Sequence, residues 1–135
     1  MSIAVYDLKE IWKDLEMPAA ILICLALLLL PTSTLAELRK VESQQEFISL
    51  INGKTLTRPW IKIQVTPDGR IAGKGARRTV AGTWAWQDGY FCRDLFWGGN
   101  ALGFNCQEVR STDDGQRIRF TSDRGTGDSA SFRLR

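Results

Sequence analysis

The sequence predicts a mainly β fold: a small antiparallel meander or barrel-like sheet with one short N-terminal helix, preceded by a signal segment. Three observations predict it. Between Trp60 and Thr66 apolar residues alternate with polar ones, Ile61, Ile63 and Val65 against Lys62, Gln64 and Thr66, which is the period of a half-buried strand. From Pro67 onward, turn residues recur about every 10 to 20 positions. Everything after Gly53 divides into such short segments and turns.

The helix comes first. Leu38 to Asn52 carries apolar side chains at Leu38, Val41, Phe47, Ile48, Leu50 and Ile51, and Gly53 follows as a stop. Ser43 with Glu46 has the spacing of a capping box, so the helix is expected to begin at Gln44. Strands follow at Trp60 to Thr66, Ile71 to Lys74, Thr79 to Trp86 and Tyr90 to Trp97, then Gly103 to Arg110, Arg117 to Thr121 and Ser131 to Leu134. Pro67-Asp68-Gly69, Asp88-Gly89, Gly98-Gly99-Asn100 and Asp114-Gly115 mark reversals between them. Roughly six to eight antiparallel strands are expected, with the helix covering one open end or face.

Ahead of this domain, Ala19 to Leu30 is an apolar run, followed by Pro31 and by Thr34 and Ala36 at the spacing of a signal peptidase site. It is shorter than the roughly 20 apolar residues that span a bilayer. Residues 1–36 are therefore read as an export segment cut after Ala36, and 37–135 as one disulfide-pinned β domain. The first sixteen residues hold Asp7, Glu10, Asp14 and Glu16 against Lys9 and Lys13, a negative balance unlike a signal peptide, so Met17 is an alternative start and an uncleaved anchor an alternative fate. The expected address is periplasmic or secreted.

Of 18 Lys and Arg and 15 Asp and Glu, 16 basic and 11 acidic residues remain after position 36. Such a positive field favours solubility and attracts anionic surfaces. The chain has no histidine, the commonest general base and metal ligand near neutral pH. It also lacks a serine elbow, a metal-ligand cluster and a G-x-G-x-x-G turn, so no cofactor and no metal are expected.

Two cysteines lie in the domain. With the turn at Gly98 to Asn100 as hairpin tip, Cys92 and Cys106 fall nearly opposite each other on adjacent strands, and a structural disulfide is expected. The chain is densest in aromatics here, with Trp84, Trp86, Tyr90, Phe91, Phe96, Trp97 and Phe104. Such rings either build the core of a small domain or line a binding surface. Trp84, Trp86, Tyr90, Arg93 and Trp97 are the candidate ligand-binding residues. Arg93 reads first as a solvated surface arginine, with a buried recognition cation or a partner of Asp94 as alternatives.

The stretch from Phe47 to Arg135, with the segments LINGKTLTR, PDGRIAGKG, GTWAWQDGYFCRDLFW, NCQEV and RFTSDRGTG, resembles a family of small secreted proteins of Gram-negative bacteria of unknown function, and covers nearly the whole expected mature domain. Members are sometimes automatically labelled dihydrodipicolinate reductase, a name implying a nicotinamide-binding Rossmann domain and a cytoplasmic address, for neither of which these residues give support. The expectation is an exported, non-catalytic binding or interaction module for a small ligand or an envelope protein. It does not engage nucleic acid and meets the membrane only through the export segment. A small enzyme built on Tyr90, Arg93 and Asp94, and an inhibitor-like or envelope structural protein, are the alternatives.

Overall fold

The computed structural model describes residues 35–135. The expected export segment and the alternative start at Met17 fall outside the described residues, and the expected cut after Ala36 falls at their edge.

A three-residue strand β1 (Leu38–Lys40) leads into helix α1 (Gln44–Ile51). Ser43 caps the helix, its hydroxyl accepting from the Glu46 amide at 3.1 Å, while the Glu46 carboxylate reaches back to the Glu42 amide at 3.3 Å. The box therefore closes one residue earlier than its usual form. Phe47 and Ile51 lie four apart on one helix face and are fully buried.

Eight further strands follow: β2 (Leu56–Arg58), β3 (Ile61–Val65), β4 (Arg70–Gly75), β5 (Arg78–Gln87), β6 (Tyr90–Trp97), β7 (Asn100–Thr112), β8 (Arg117–Thr121) and β9 (Ser129–Leu134). Each pairs antiparallel with its neighbours in the order β7-β6-β5-β4-β3-β2-β9-β8, and β8 pairs back to β7 to close the circle. The fold is thus a closed eight-stranded antiparallel barrel. β1 is the extra strand, pairing with β7 at Arg110 to Thr112, beyond the Phe91↔Gln107 pair where the β6 register begins.

Two strands were not expected from sequence. β1 lies within the apolar stretch leading to the helix, and β2 is too short for alternation to show; both are defined by partners distant in sequence, Thr112 to Arg110 and Leu134 to Arg133. Asn100, expected in a turn, starts β7, and Trp60 sits in the β2–β3 turn instead of in the strand.

The register is irregular between Leu95 and Phe96, where Leu95 faces Gly103 but Phe96 faces Ala101, leaving Leu102 as the extra residue of a bulge. Elsewhere the walls come close together. An added Cβ at Gly73 would collide with the Lys62 carbonyl, and one at Gly82 with the Asp94 carbonyl, so the wall bends at positions only glycine can fill.

The core lies between α1 and the sheet. The Phe47 ring meets Trp84 edge-on at 5.1 Å, stacks on Trp86 at 5.4 Å and touches Phe91 at 5.1 Å. Val109, Ile118, Phe120 and Leu134 complete the buried set from the remaining strands. Short turns close the wall at Asp88-Gly89 and at Asp114-Gly115, and an added Cβ at Gly115 would rest 3.4 Å from Leu50 of the helix.

Candidate functional site

Side-chain alternation decides what faces the lumen. Trp84 and Trp86 share a face with their cross-strand partners Arg93 and Phe91, and Phe91 and Arg93 share theirs with Gln107 and Asn105. Tyr90, Cys92 and Asp94 take the opposite face. Arg93 is therefore an interior residue, not the solvated surface arginine that reads first from the sequence. Its guanidinium follows the pleat of β6 inward because Phe91 and Leu95, two positions on either side, belong to the core face.

Arg93 lines a cavity of about 190 Å³ walled chiefly by apolar side chains, among them Phe91, Leu95, Phe120 and Phe132, with Gln107 as the other polar contributor. Its Nη1 donates to the Gly103 carbonyl at 2.7 Å. Its Nε is buried and has no hydrogen-bond partner among the described residues. Burial pulls the guanidinium below its ordinary pKa, partly offset by the negative charge of Asp94. An arginine stays protonated regardless, so the cavity holds a permanent positive charge with an unused donor.

The other sequence candidates separate. Trp84 is 6% exposed, and its indole Nε1 donates to the Thr66 carbonyl at 2.9 Å, tying β5 to the β3–β4 turn. Trp86 is half-buried against Phe47. Trp97 donates from Nε1 to the Gly75 carbonyl at 2.8 Å and carries the Arg78 guanidinium 4.7 Å above its ring. The three indoles form no shared exposed platform; two build the core around Phe47 and the third braces β6 against β4. Tyr90 lies between two cations, the Lys40 Nζ at 5.5 Å and the Arg124 guanidinium at 5.6 Å from its ring centre. Tyr90 and Asp94 face away from Arg93, so the three groups on which an enzyme reading rested do not converge.

Cys92 and Cys106 face each other in register with Cα atoms 3.9 Å apart and form a disulfide. The bridge joins β6 to β7 on the side of the wall opposite Arg93. On the same pair of strands, Asn105 holds the short turn α2 (Ser122–Gly125), exchanging hydrogen bonds with the Asp123 carboxylate at 2.7 Å and the Asp123 amide at 3.0 Å. These bonds secure Asp123 and Arg124 at left-handed φ of 52° and 55°.

The aromatic cluster in sequence drew attention to the tryptophans, whereas Phe120 and Phe132 in the two C-terminal strands line the cavity. Their signal in the sequence is alternation with Arg117, Arg119 and Arg133, a pattern that turns them inward without showing what they enclose.

No family model, no curated protein and no solved structure matches this chain.

Proposed function

We propose that the protein is an exported, non-catalytic binding module that takes a small apolar ligand bearing one anionic group into the barrel. The observation that carries this reading is Arg93, a half-buried cation whose Nε has no partner among the described residues, on the wall of a mainly apolar cavity. Eight strands give an interior wide enough for packed side chains or for one small ligand. The cavity, about 190 Å³, is below the range of drug-sized sites, roughly 300 to 1,000 Å³, and corresponds to about six waters. A short-chain monocarboxylate fits both its size and its polarity, since a carboxylate accepts two donors from one guanidinium. Export rests on the apolar run and small-residue cleavage pattern, on the likeness to small secreted proteins, and on the disulfide, which suits an oxidising compartment.

The test compares hexanoate with hexan-1-ol by calorimetry and by methyl NMR shifts at Leu95 and Ile71, in wild type and Arg93→Met. Hexanoate is expected to bind at least about tenfold tighter than the alcohol, a difference of about 1.4 kcal/mol, and Arg93→Met to erase that preference. Binding of neither probe, or equal binding of both by the wild type, overturns the reading.

A further inference from the structure

Apart from Leu35, the large apolar side chains exposed among the described residues lie toward one end of the meander. The β2–β3, β4–β5 and β6–β7 turns join successive antiparallel strands and so sit at the same end, with the Trp60 carbonyl accepting from the Ala76 amide at 2.8 Å. Trp60 occupies the first turn, Phe96 precedes the third, and Leu102 and Phe104 follow it within the bulged start of β7.

Trp60 is the extreme case. Trp60 is 84% exposed and its φ is 66°, a conformation in which glycine is the ordinary occupant. Neither packing nor backbone preference accounts for a tryptophan here. Pro59 beside it has no amide hydrogen, and the Trp60 carbonyl is already satisfied, so the tip offers few unmet backbone groups to an apolar medium.

Cations surround this tip. Arg58 and Lys62 flank it in sequence, and Arg77 and Arg78 stand at the neighbouring turn. Behind it a row of directly opposed residues runs across five strands, Lys74↔Lys62↔Thr57↔Arg133↔Arg117. Like charges directly opposite each other in a sheet are destabilising, and none of these four cations makes an ion pair with a described residue. Lys62, Arg117 and Arg133 border an open groove of about 820 Å³ together with Arg58, Pro59 and Arg135. Arg117, at the far end of the row, lies close enough to Asp114 to help lower that carboxylate's pKa.

We propose that this turn-bearing end, led by Trp60, docks on an anionic phospholipid surface, the indole entering the headgroup region while the adjacent cations meet lipid phosphates. An exposed indole on a satisfied turn suits the membrane interface, and the basic row supplies charge complementarity. The inference is independent of what the lumen binds.

The experiment uses protein purified after expression of the full sequence and measures partitioning onto vesicles of phosphatidylcholine alone or with phosphatidylglycerol. The variants are Trp60→Gly and the pair Arg117→Glu with Arg133→Glu, with thermal melts establishing that each is folded. Quenching of tryptophan fluorescence by lipids brominated on the acyl chain reports insertion. Wild type is expected to favour the anionic vesicles at least about tenfold, with salt weakening the preference and each charge lost costing about fivefold. Trp60→Gly should lose the quenching and most of the partitioning. Equal partitioning onto both vesicle types, or quenching and partitioning unchanged in folded Trp60→Gly, overturns the proposal, and so does tight binding of soluble polyphosphate that Trp60→Gly retains while vesicles are ignored.

Discussion

The Arg93 guanidinium donates to the carbonyl of Gly103 at 2.7 Å from within the lumen, and Gly103 takes a φ of 80° in the bulged stretch of β7. The bulge and the interior cation are thus one arrangement. The irregular register between Leu95 and Phe96 turns a backbone carbonyl toward the guanidinium, satisfying one nitrogen while Nε has no partner among the described residues.

Because that Nε is buried without a partner, Arg93 is held at the expense of stability. Arg93→Met should raise stability by about 1 kcal/mol, the lower end of what an unsatisfied buried donor costs, while abolishing the preference for hexanoate. Urea denaturation monitored by tryptophan fluorescence measures the first effect. A loss of stability instead would mean that the Gly103 bond outweighs the desolvation.

Gly103→Ala acts through the backbone alone, since an added Cβ there meets nothing within 4 Å. The positive φ should cost about 1 to 2 kcal/mol. Chemical denaturation checks this, and unchanged stability would mean that the bulge relaxes without penalty.

Trp60→Gly is expected to do the reverse, stabilising the fold by about 1 kcal/mol because glycine adopts the 66° φ freely and removes an exposed indole. A melting temperature higher than that of wild type, alongside lost vesicle binding, is the expected pair of results. A clear drop would show that the indole makes structural contacts.

Removing the Cys92–Cys106 bridge by the double serine variant should lower stability by about 3 kcal/mol and the melting temperature by roughly 10 to 20 °C. Differential scanning calorimetry decides. In protein recovered from an extracytoplasmic fraction, intact mass should begin at Glu37 and gain two alkyl groups only after reduction. A full-length cytoplasmic product with free thiols would end the export proposal and reopen the enzyme reading.

Asp114 provides a pH dependence. Its carboxylate accepts from the Thr112 hydroxyl at 2.5 Å and from the Gln116 amide at 3.0 Å, and these bonds, with Arg117 nearby, hold its pKa below the usual carboxylate value. A depressed folded-state pKa means stability that is present above the unfolded value, about 3.9, and is lost as pH falls through the folded one. Wild type should therefore exceed Asp114→Asn in melting temperature at pH 6, with the gap closing as pH falls below about 4. A gap that does not change with pH would remove the charge from the explanation.

Local sequence carried much of the fold. The start of α1 at Gln44 was legible because Ser43 and Glu46 act within one helical turn, and β6 and β8 were legible at their observed limits because turn residues bracket them. The Cys92–Cys106 pairing was legible because both residues flank a single tight hairpin. Strand existence and hairpin pairing depend on neighbours in the chain, and there period and turn chemistry suffice.

What the tertiary structure alone decided depends on partners far apart. Closure of the barrel requires β2 to meet β9 through Leu56↔Leu134 and β8 to meet β7 through Val109↔Phe120, contacts for which no local pattern codes. The inward placement of Arg93 was set by β6 sharing a face with Trp84 across the hairpin, a register that alternation within β6 leaves open until its neighbours are known. Likewise Trp84 and Trp86 became core because Phe47 arrives from a helix some forty residues upstream, while Trp60 stayed outside because closure put its turn at the open end. A side chain's face is a local property, but whether that face looks onto core, cavity or solvent is fixed only when the sheet curls and the helix docks.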